Sequence, residues 1–497
     1  MGMIDWVLDK LGLVRKNRWP DREPTVPLWA DTHAAPISEI GPDAIPVEAR
    51  TRRRVVLDPT QREAIRAAIA EHWDTQVILI YGGAGTGKSE VVKRIARKFR
   101  GKTIIVAPTG IAAHNVDGVT IHSQFKFPGA LLRYRDNDVI HPLGGDLREA
   151  LLRAKLIIID EISMVRVDLL DAIDWSLRIS LGNPDVAFGG KRIVMVGDLL
   201  QLEPVADDEA LHELLPDWPD GQFFFDAHVW KEARLRAFQL ATEHRQSADQ
   251  EFAQCLRELR DGDSAEMRSR LNDLIRVTPE PADRPILVTA KASAEGINTE
   301  RLRVLQGPSR RYKHSKTGQF PSSERRAPDN LILKKGARVL ITANASGGPP
   351  YLYVNGTLGV VSEMNRDSVT VQKDDGEIVT IGPHLWERKR YVQDPETEGI
   401  RLQTVGTFSQ IPMRLAWAMT VHKSQGLTFD KLHIDTTQWF FASGQGYVAL
   451  TRCRTAFGLS VSSPIPPGMV FWKPRLRHFL DQIGEDPLWQ RVQNEEF

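Results

Sequence analysis

The sequence predicts an α/β protein: two parallel-sheet domains, with a small β-barrel inserted in the second. Three observations carry this reading. From Val55 to about residue 245 the apolar runs VILIY, TIIVAP, LIIIDE and IVMVGD alternate with helical stretches, the pattern of strands covered on both faces by crossover helices. A second alternating set follows, with helical material from Asp249 to about Ile275, a strand at PILVTA, a helix from Ala292 to Leu305, and strands at KLHID and FGLSVSS. Between its parts, residues 334–410 change character: GARVLITAN, GTLGVVSEM, SVTVQ and EIVTI are split by Gly, Asn and Asp turns, which fits a small antiparallel barrel. The expected division is 1–50 as a proline-rich arm, 51–245 and 246–497 as the two domains, and about 350–410 as the insertion. The arm carries one short amphipathic candidate at Trp6, Leu8, Leu11 and Leu13.

Composition narrows the function classes. A chain of 497 residues, 41% hydrophobic and 26% charged, has apolar material for two to four globular domains. No apolar run approaches the roughly 20 residues that span a bilayer, and MGMIDWVLDKLGLVRK carries acids where a secretory leader is basic. The expectation is a cytoplasmic protein with no membrane partner. Cys255 and Cys453 are the only cysteines, too few for a disulfide framework or a zinc site. Net charge is +1, so any nucleic-acid site must be a local groove. The basic clusters at Arg52–Arg54, at Arg310, Arg311, Lys313 and Lys316, and at Arg388–Arg390 read as solvated surface runs.

The most informative segment is VILIYGGAGTGKSEVVKRIARKF, residues 77–99. It reads as strand, phosphate loop, helix. Glycines let the backbone wrap a polyphosphate so that N–H groups of Gly83, Gly85, Thr86 and Gly87 point at it; Lys88 reaches the β- and γ-phosphates, and Ser89 can ligate Mg²⁺. Such a loop needs a carboxylate site, and LIIIDEIS supplies it at a strand end: Asp160 to hold Mg²⁺, Glu161 to orient or deprotonate the attacking water. IVMVGDLLQLEPV then delivers Asp198 and Gln201 to the same sheet edge, where a glutamine can sense a γ-phosphate.

These residues resemble a known family, the superfamily 1B DNA helicases of the petite-integration-frequency type. The matching blocks run in the family's order: LDPTQ, GGAGTGKS, APTGIAA, GVTIHSQF, IIDEISMV, GDLLQLEPV, EHRQ, GARVLITAN with YVNGTLGVV, LAWAMTVHKSQGLTFD and GYVALTRCRT. They cover nearly everything from about Leu57 to Phe457. The resemblance implies two RecA-like domains, a wedge at about 126–147 and an SH3-like insertion. It implies ATP and Mg²⁺ as cofactors, with Gln61 reading adenine through its amide. It makes Arg245 and Arg452 arginine fingers that neutralise charge on the γ-phosphoryl from across the interdomain cleft.

For DNA the resemblance points to Pro108, Thr109 and Gly110, to His122, Ser123 and Phe125, and to Thr420, His422, Lys423 and Ser424. Hydroxyls, backbone amides and a lysine grip phosphates without reading sequence, and an aromatic ring can stack on a base. His122 and His422 are equally readable as buried structural histidines. The implied activity is ATP-dependent 5′→3′ translocation on single-stranded DNA, with unwinding of forked or structured duplex, by a chain that is a monomer in solution. Polarity comes from the resemblance alone. A DNA-stimulated ATPase without productive unwinding, a subunit of a recombination or conjugation machine, and a binding module with a vestigial ATP site are the alternatives. The chain departs from the family pattern in having Glu203 where a proline is usual, and in matching the signature helix of residues 168–190 only loosely.

Overall fold

Apolar runs without alternation become central strands because both of their faces need cover. The computed structural model describes residues 57–70, 75–83, 85–204, 208–240, 249–279, 284–345 and 352–484. The arm expected at 1–50, its amphipathic candidate, Arg52–Arg54 and Arg245 lie outside the described residues. Six strands, β1 (Val77–Gly82), β2 (Thr103–Ala107), β3 (Val119–Thr120), β4 (Leu156–Ile159), β5 (Arg192–Gly197) and β6 (Leu235–Leu240), form one parallel sheet in the order β3-β2-β4-β5-β1-β6. Every residue of β1, β4 and β5 is buried. Ile78 and Ile80 pack with Val91, Val92 and Ile95 of the helix Lys88–Lys98, while Val77, Leu79 and Tyr81 face a larger core that also holds Leu287, Leu432 and Ile434.

Those last residues belong to a second parallel sheet, ordered Ala418–Thr420, Ile286–Val288, Leu432–Ile434, Leu459–Val461, Arg276–Val277. The helical material before it is two helices, Gln250–Asp261 and Ala265–Leu274; they part at Gly262, and the Ser264 hydroxyl caps the second by accepting from Met267 N at 3.1 Å.

Between the strands of this second sheet lies antiparallel structure. Five strands, Ile378–Ile381, Val369–Lys373, Leu358–Met364, Arg338–Ile341 and Met413–Leu415, pair in that order around Val339, Ile341, Val361, Val371 and Met413. A long ribbon, His384–Gln393 paired with Ile400–Gln410, reaches back to the first sheet. There Tyr391 N donates to Gln124 Oε1 at 2.8 Å, Gln124 Nε2 to Tyr391 O at 3.2 Å, and Ile400 N to Gly101 O at 3.0 Å. The run Arg388–Arg390 therefore departs from the solvated stretch that its charge suggests. Arg388 is buried against Glu324 at 3.1 Å, and Arg390 Nε donates to Ser123 O at 2.6 Å.

Residues 126–144 carry no helix or strand. Leu132, Ile140 and Leu143 instead enter the first core, and the segment is fastened to the helix Val167–Leu181 by Leu132 N to Asp168 Oδ2 at 3.1 Å and Leu143 N to Ser180 Oγ at 2.8 Å. That helix is almost wholly buried, and its three inward acids are each satisfied: Asp168 by Arg166, Asp171 by Trp218 and the N–H groups of His228 and Val229, Asp174 by Arg178. No helix among the described residues is long and apolar enough to cross a membrane.

Candidate active site

The phosphate loop sits where β1 ends, at the carboxyl edge of the sheet. Its glycines answer to close approaches: a Cβ on Gly82 would stand 2.6 Å from Leu240 O, and one on Gly87, at φ +81°, 2.6 Å from Gln61 Nε2. Gln61 is buried and its amide is engaged at both ends, accepting from Asp58 N at 3.0 Å and donating to Thr86 O at 2.9 Å. In this conformation it braces the loop. Lys88 Nζ donates to Gly82 O at 2.9 Å and Gly83 O at 2.8 Å, folded back onto the turn. Burial lowers its pKa and Arg260 adds to that, while Asp198, Glu161 and Asp160 oppose it. Ser89 is exposed in the first turn of the helix.

Asp160 and Glu161 leave β4 beside this lysine. Burial, reinforced by the charge of Glu161, pushes Asp160 up to about 7, against the opposing effects of the Glu161 N–H and Lys88. Burial likewise raises Glu161, with Lys88, Arg452 and Gln425 pulling the other way. Glu161 holds φ 51° and ψ 48°, a left-handed conformation that costs a residue with a side chain about 1–3 kcal/mol and clusters at functional sites. Asp198 follows β5 fully buried, and Gln201 Nε2 donates to its Oδ2 at 3.2 Å.

Two residues that sequence reasoning did not single out complete the cluster. Arg260, on the helix Gln250–Asp261, grips Asp198 with both terminal nitrogens, at 3.2 and 3.3 Å, and donates to Tyr447 OH at 2.9 Å. Burial works against its charge, but Asp198 and Tyr447 outweigh it and hold its pKa above the ordinary arginine value. Gln425 Nε2 lies 3.3 Å from Gln201 Oε1 and 3.5 Å from Glu161 Oε2. Gln425 stands inside the TVHKSQG run, which was a usable signal; Arg260 sits in LRELRDG, which carries none. Arg452 is buried and donates to Val448 O at 3.0 Å, Leu427 O at 3.4 Å and Thr451 Oγ1 at 2.9 Å, while its charge reaches Glu161. Glu203, the departure from a proline, ties the loop after Gln201 to the second sheet's side, accepting from Ser443 N at 3.2 Å and pairing with Lys473 at 2.8 Å.

The residues expected at DNA divide. Pro108, Thr109 and Gly110 follow β2 half-exposed, with the Thr109 hydroxyl capping the helix Gly110–Asn115. His122 is half-buried in a pocket with Lys126, Arg388 and Arg390; burial lowers its pKa, opposed by Glu324. Lys423 is exposed and His422 half-buried. Ser123 and Phe125, by contrast, are buried: the serine donates to Lys389 O at 2.8 Å and the phenylalanine stacks on Phe127. Thr420 and Ser424 are buried too, their hydroxyls shaping the turn through Lys423 N at 3.3 Å and Val421 O at 2.7 Å. In this conformation those four side chains hold protein together and offer nothing to a strand.

Residues 56–270 match the family model of the PIF1-like helicases. The ATP-dependent DNA helicase Pif1 of Bdellovibrio bacteriovorus is 31% identical over 422 residues, which span 82% of this chain and 88% of that protein. The chain belongs to the PIF1-like helicase family. The PIF1 helicase of Xenopus laevis is also 31% identical, over 435 residues, 84% of this chain and 64% of the relative, so the chain spans just under two thirds of that protein's length. Bacteroides sp Pif1 in complex with ADP-AlF4 superposes with a TM-score of 0.76 at 33% identity, covering 88% of this chain and 99% of the other; Bacteroides Pif1 bound to ssDNA gives 0.65 at 34%, with 88% and 99% covered. The two parallel sheets are thus the RecA-like pair of a PIF1-like helicase.

Proposed function

We propose that this PIF1-like chain is an ATP-dependent DNA helicase that moves 5′→3′ along a single strand and opens forked or structured duplex. The observation that carries the reading is one line of polar contacts, Tyr447–Arg260–Asp198–Gln201–Gln425–Glu161, which crosses from the second sheet's elements to the catalytic carboxylates and returns through a residue adjoining Thr420–Ser424. Hydrolysis and strand binding share that line. The Xenopus and Bdellovibrio relatives are named ATP-dependent DNA helicases, and Bacteroides Pif1 binds ADP-AlF4 and ssDNA.

In this reading Lys88 exchanges the Gly82 and Gly83 carbonyls for the β- and γ-phosphates, which the N–H groups of Gly83, Gly85, Thr86 and Gly87 cradle. Ser89 and Asp160 would hold Mg²⁺, a donor set of hard oxygens that suits it, and the buried Asp160 acid gains there the counter-charge that it lacks. Bound Mg²⁺ would draw charge off the phosphate oxygens. Glu161 takes the proton of the attacking water, and a carboxylate with raised proton affinity is tuned for that work near neutral pH. Gln201 senses the γ-phosphate; Arg452 and Arg245 neutralise charge on it. Gln61 reads adenine by giving up Thr86 O. Pro108, Thr109, Gly110, His122, His422 and Lys423 line the strand's path, and Ser123, Phe125, Thr420 and Ser424 join them once the ribbon and the turn move. The proposed organisation is an arm at 1–50, RecA-like domains at 51–245 and 246–497, a wedge at 126–147 and an SH3-like insertion at about 350–410, in a cytoplasmic monomer.

The test uses one duplex with a 5′ single-stranded tail and another with a 3′ tail, each with ATP and Mg²⁺. Opening of the 5′-tailed duplex alone supports the reading. Preference for the 3′ tail removes the polarity, and failure on both with strand-stimulated ATP turnover leaves a translocase that does not unwind.

A further inference from the structure

The turn that follows β5 is held by residues from the far half of the chain. Arg260 donates from Nη2 to Asp198 Oδ1 at 3.2 Å and from Nη1 to Asp198 Oδ2 at 3.3 Å. Trp472 Nε1 donates to Leu200 O at 3.1 Å, and Gln425 Nε2 to Gln201 Oε1 at 3.3 Å. Gly444, at φ +75°, approaches so closely that a Cβ there would stand 2.5 Å from Gln201 O and 2.8 Å from Leu200 O.

Gly444 opens the short helix Gln445–Leu450, and that helix takes the other end of the Arg260 grip. Its Tyr447 is buried, with the hydroxyl 2.9 Å from Arg260 Nη1. Arg452 follows the helix by two residues and donates back to Val448 O at 3.0 Å. On the opposite side Asp198 Oδ2 accepts from Gln201 Nε2 at 3.2 Å, so the carboxylate that Arg260 orients in turn orients the Gln201 amide. Asp198 is fully buried while the Arg260 side chain keeps 17% exposure, and a buried carboxylate robbed of its partner is costly. The fork also stands close to the phosphate loop: burial raises Tyr81 with Arg260 opposing, and burial lowers Lys88 with Arg260 adding to it.

Resting on the helicase reading, in which Gln201 senses the γ-phosphate and Arg452 neutralises charge on it, we propose that Arg260 is a positioning residue for ATP hydrolysis. Its planar fork fixes the Gln201 turn against the helix that leads to Arg452, so that sensor and finger meet the γ-phosphate in one register. Arg260 acts through Asp198 and Tyr447. A misplacement of about 1 Å between such groups can cost about a hundredfold in rate, which is the scale on which a positioning residue is visible.

The experiment measures ATP turnover of the full chain with Mg²⁺ and saturating oligothymidylate, beside the affinity for a fluorescent ATP analogue. Arg260→Lys keeps a charge for Asp198 but lacks the planar fork that sets its angle. It should lower kcat by about 10- to 100-fold and leave nucleotide affinity near the wild-type value, the split expected when an interaction matters only in the transition state. Tyr447→Phe removes the second anchor alone and should lower kcat several-fold. Combined with Gln201→Ala, either variant should cost much less than the product of the single losses, because residues that act as a unit are not additive. Arg260→Lys at the wild-type kcat would overturn the positioning role, and so would losses that multiply with Gln201→Ala. An equal fall in kcat and in nucleotide affinity would also overturn it, making Arg260 an ion pair that only holds the fold. If Arg260→Lys does not fold, Tyr447→Phe decides by the same three readouts. A wild-type chain without strand-stimulated turnover would overturn the helicase reading itself, an outcome seen before any variant is made.

Discussion

The phosphate loop and the cleft where Arg326, Arg414 and Lys423 stand among Ile111, Leu340, Met419 and Leu427 both gather cations, yet their charge is kept in different ways. At the phosphate loop Lys88, Arg260 and Arg452 face Asp160, Glu161 and Asp198: Arg260 grips Asp198 directly, and Lys88 and Arg452 act on the acids through their charge. At the second cleft, among the described residues, no carboxylate pairs with Arg326 or Arg414, and Glu295 acts on Lys423. The first arrangement suits what its site is proposed to receive. A nucleotide with its metal brings charges of both signs, so its site must exchange internal partners for ligand partners without a large net change.

The largest effect should come from breaking the balanced cleft at its cation. Lys88→Ala removes the ammonium from the β- and γ-phosphates and leaves Asp160 and Glu161 facing one another; ATP turnover should fall by about a thousandfold or more, on the scale of losing a preorganised charge stabiliser. Oligonucleotide affinity of the same variant should remain, because Lys88 is not among the residues proposed to line the strand's path. Turnover near the wild-type level would remove the phosphate-loop assignment. Glu161→Gln should slow hydrolysis by about 10²- to 10⁴-fold, since the amide cannot take a proton, while nucleotide stays bound. Loss of affinity in place of rate would mean that Glu161 holds ground-state nucleotide.

A smaller effect separates the clefts by pH. Burial, then Glu161, raises Asp160 to about 7, so in the nucleotide-free protein it keeps its proton until near neutrality. Magnesium binding needs the ionised form, and the proton must leave. Affinity for Mg²⁺-nucleotide should therefore weaken as pH falls below about 7, by up to about tenfold per unit for one proton, and Asp160→Asn should lie flat and weak across that range. The sign for stability is the reverse: a raised carboxylate pKa favours the folded form while it is protonated, and that contribution is lost as pH rises from the ordinary carboxylate range through about 7. Oligonucleotide binding should show no such inflection near 7. A parallel inflection in both titrations would mean that the two clefts are one electrostatic unit.

The same contrast explains what was legible in the sequence. VILIY, LIIIDE and IVMVGD declare themselves because a strand buried on both faces cannot afford polar residues, and the phosphate loop does because only glycines fit beside Leu240 and Gln61. HLWERKRYVQ gave no such signal: its arginines look solvated, and only the partners Glu324 and Ser123, far away in sequence, make them structural. Arg260 is hidden for the same reason. A charge on an amphipathic helix reads as surface until Asp198 is seen opposite it. Arg414 differs again: among the described residues no carboxylate pairs with it, a property of three-dimensional surroundings that no motif states.

The smallest effect tests that lesson on one hydroxyl. The family pattern places Ser123 at the DNA, whereas here it is buried and donates to Lys389 O of the ribbon at 2.8 Å. If its work is to hold the ribbon to the first domain, Ser123→Ala takes this donor from the half-buried Lys389 carbonyl. It should then cost about 1 kcal/mol in thermal or denaturant unfolding. Oligonucleotide affinity and salt slope should stay within error, because no charge and no strand contact has been removed. If its work is at the strand, the pattern inverts: affinity drops while stability holds, and the ribbon must swing aside whenever DNA binds. Changes in both would place Ser123 at a moving joint, fastened to Lys389 without DNA and to phosphate with it, and would make the ribbon contact the part of the first domain that strand binding has to break.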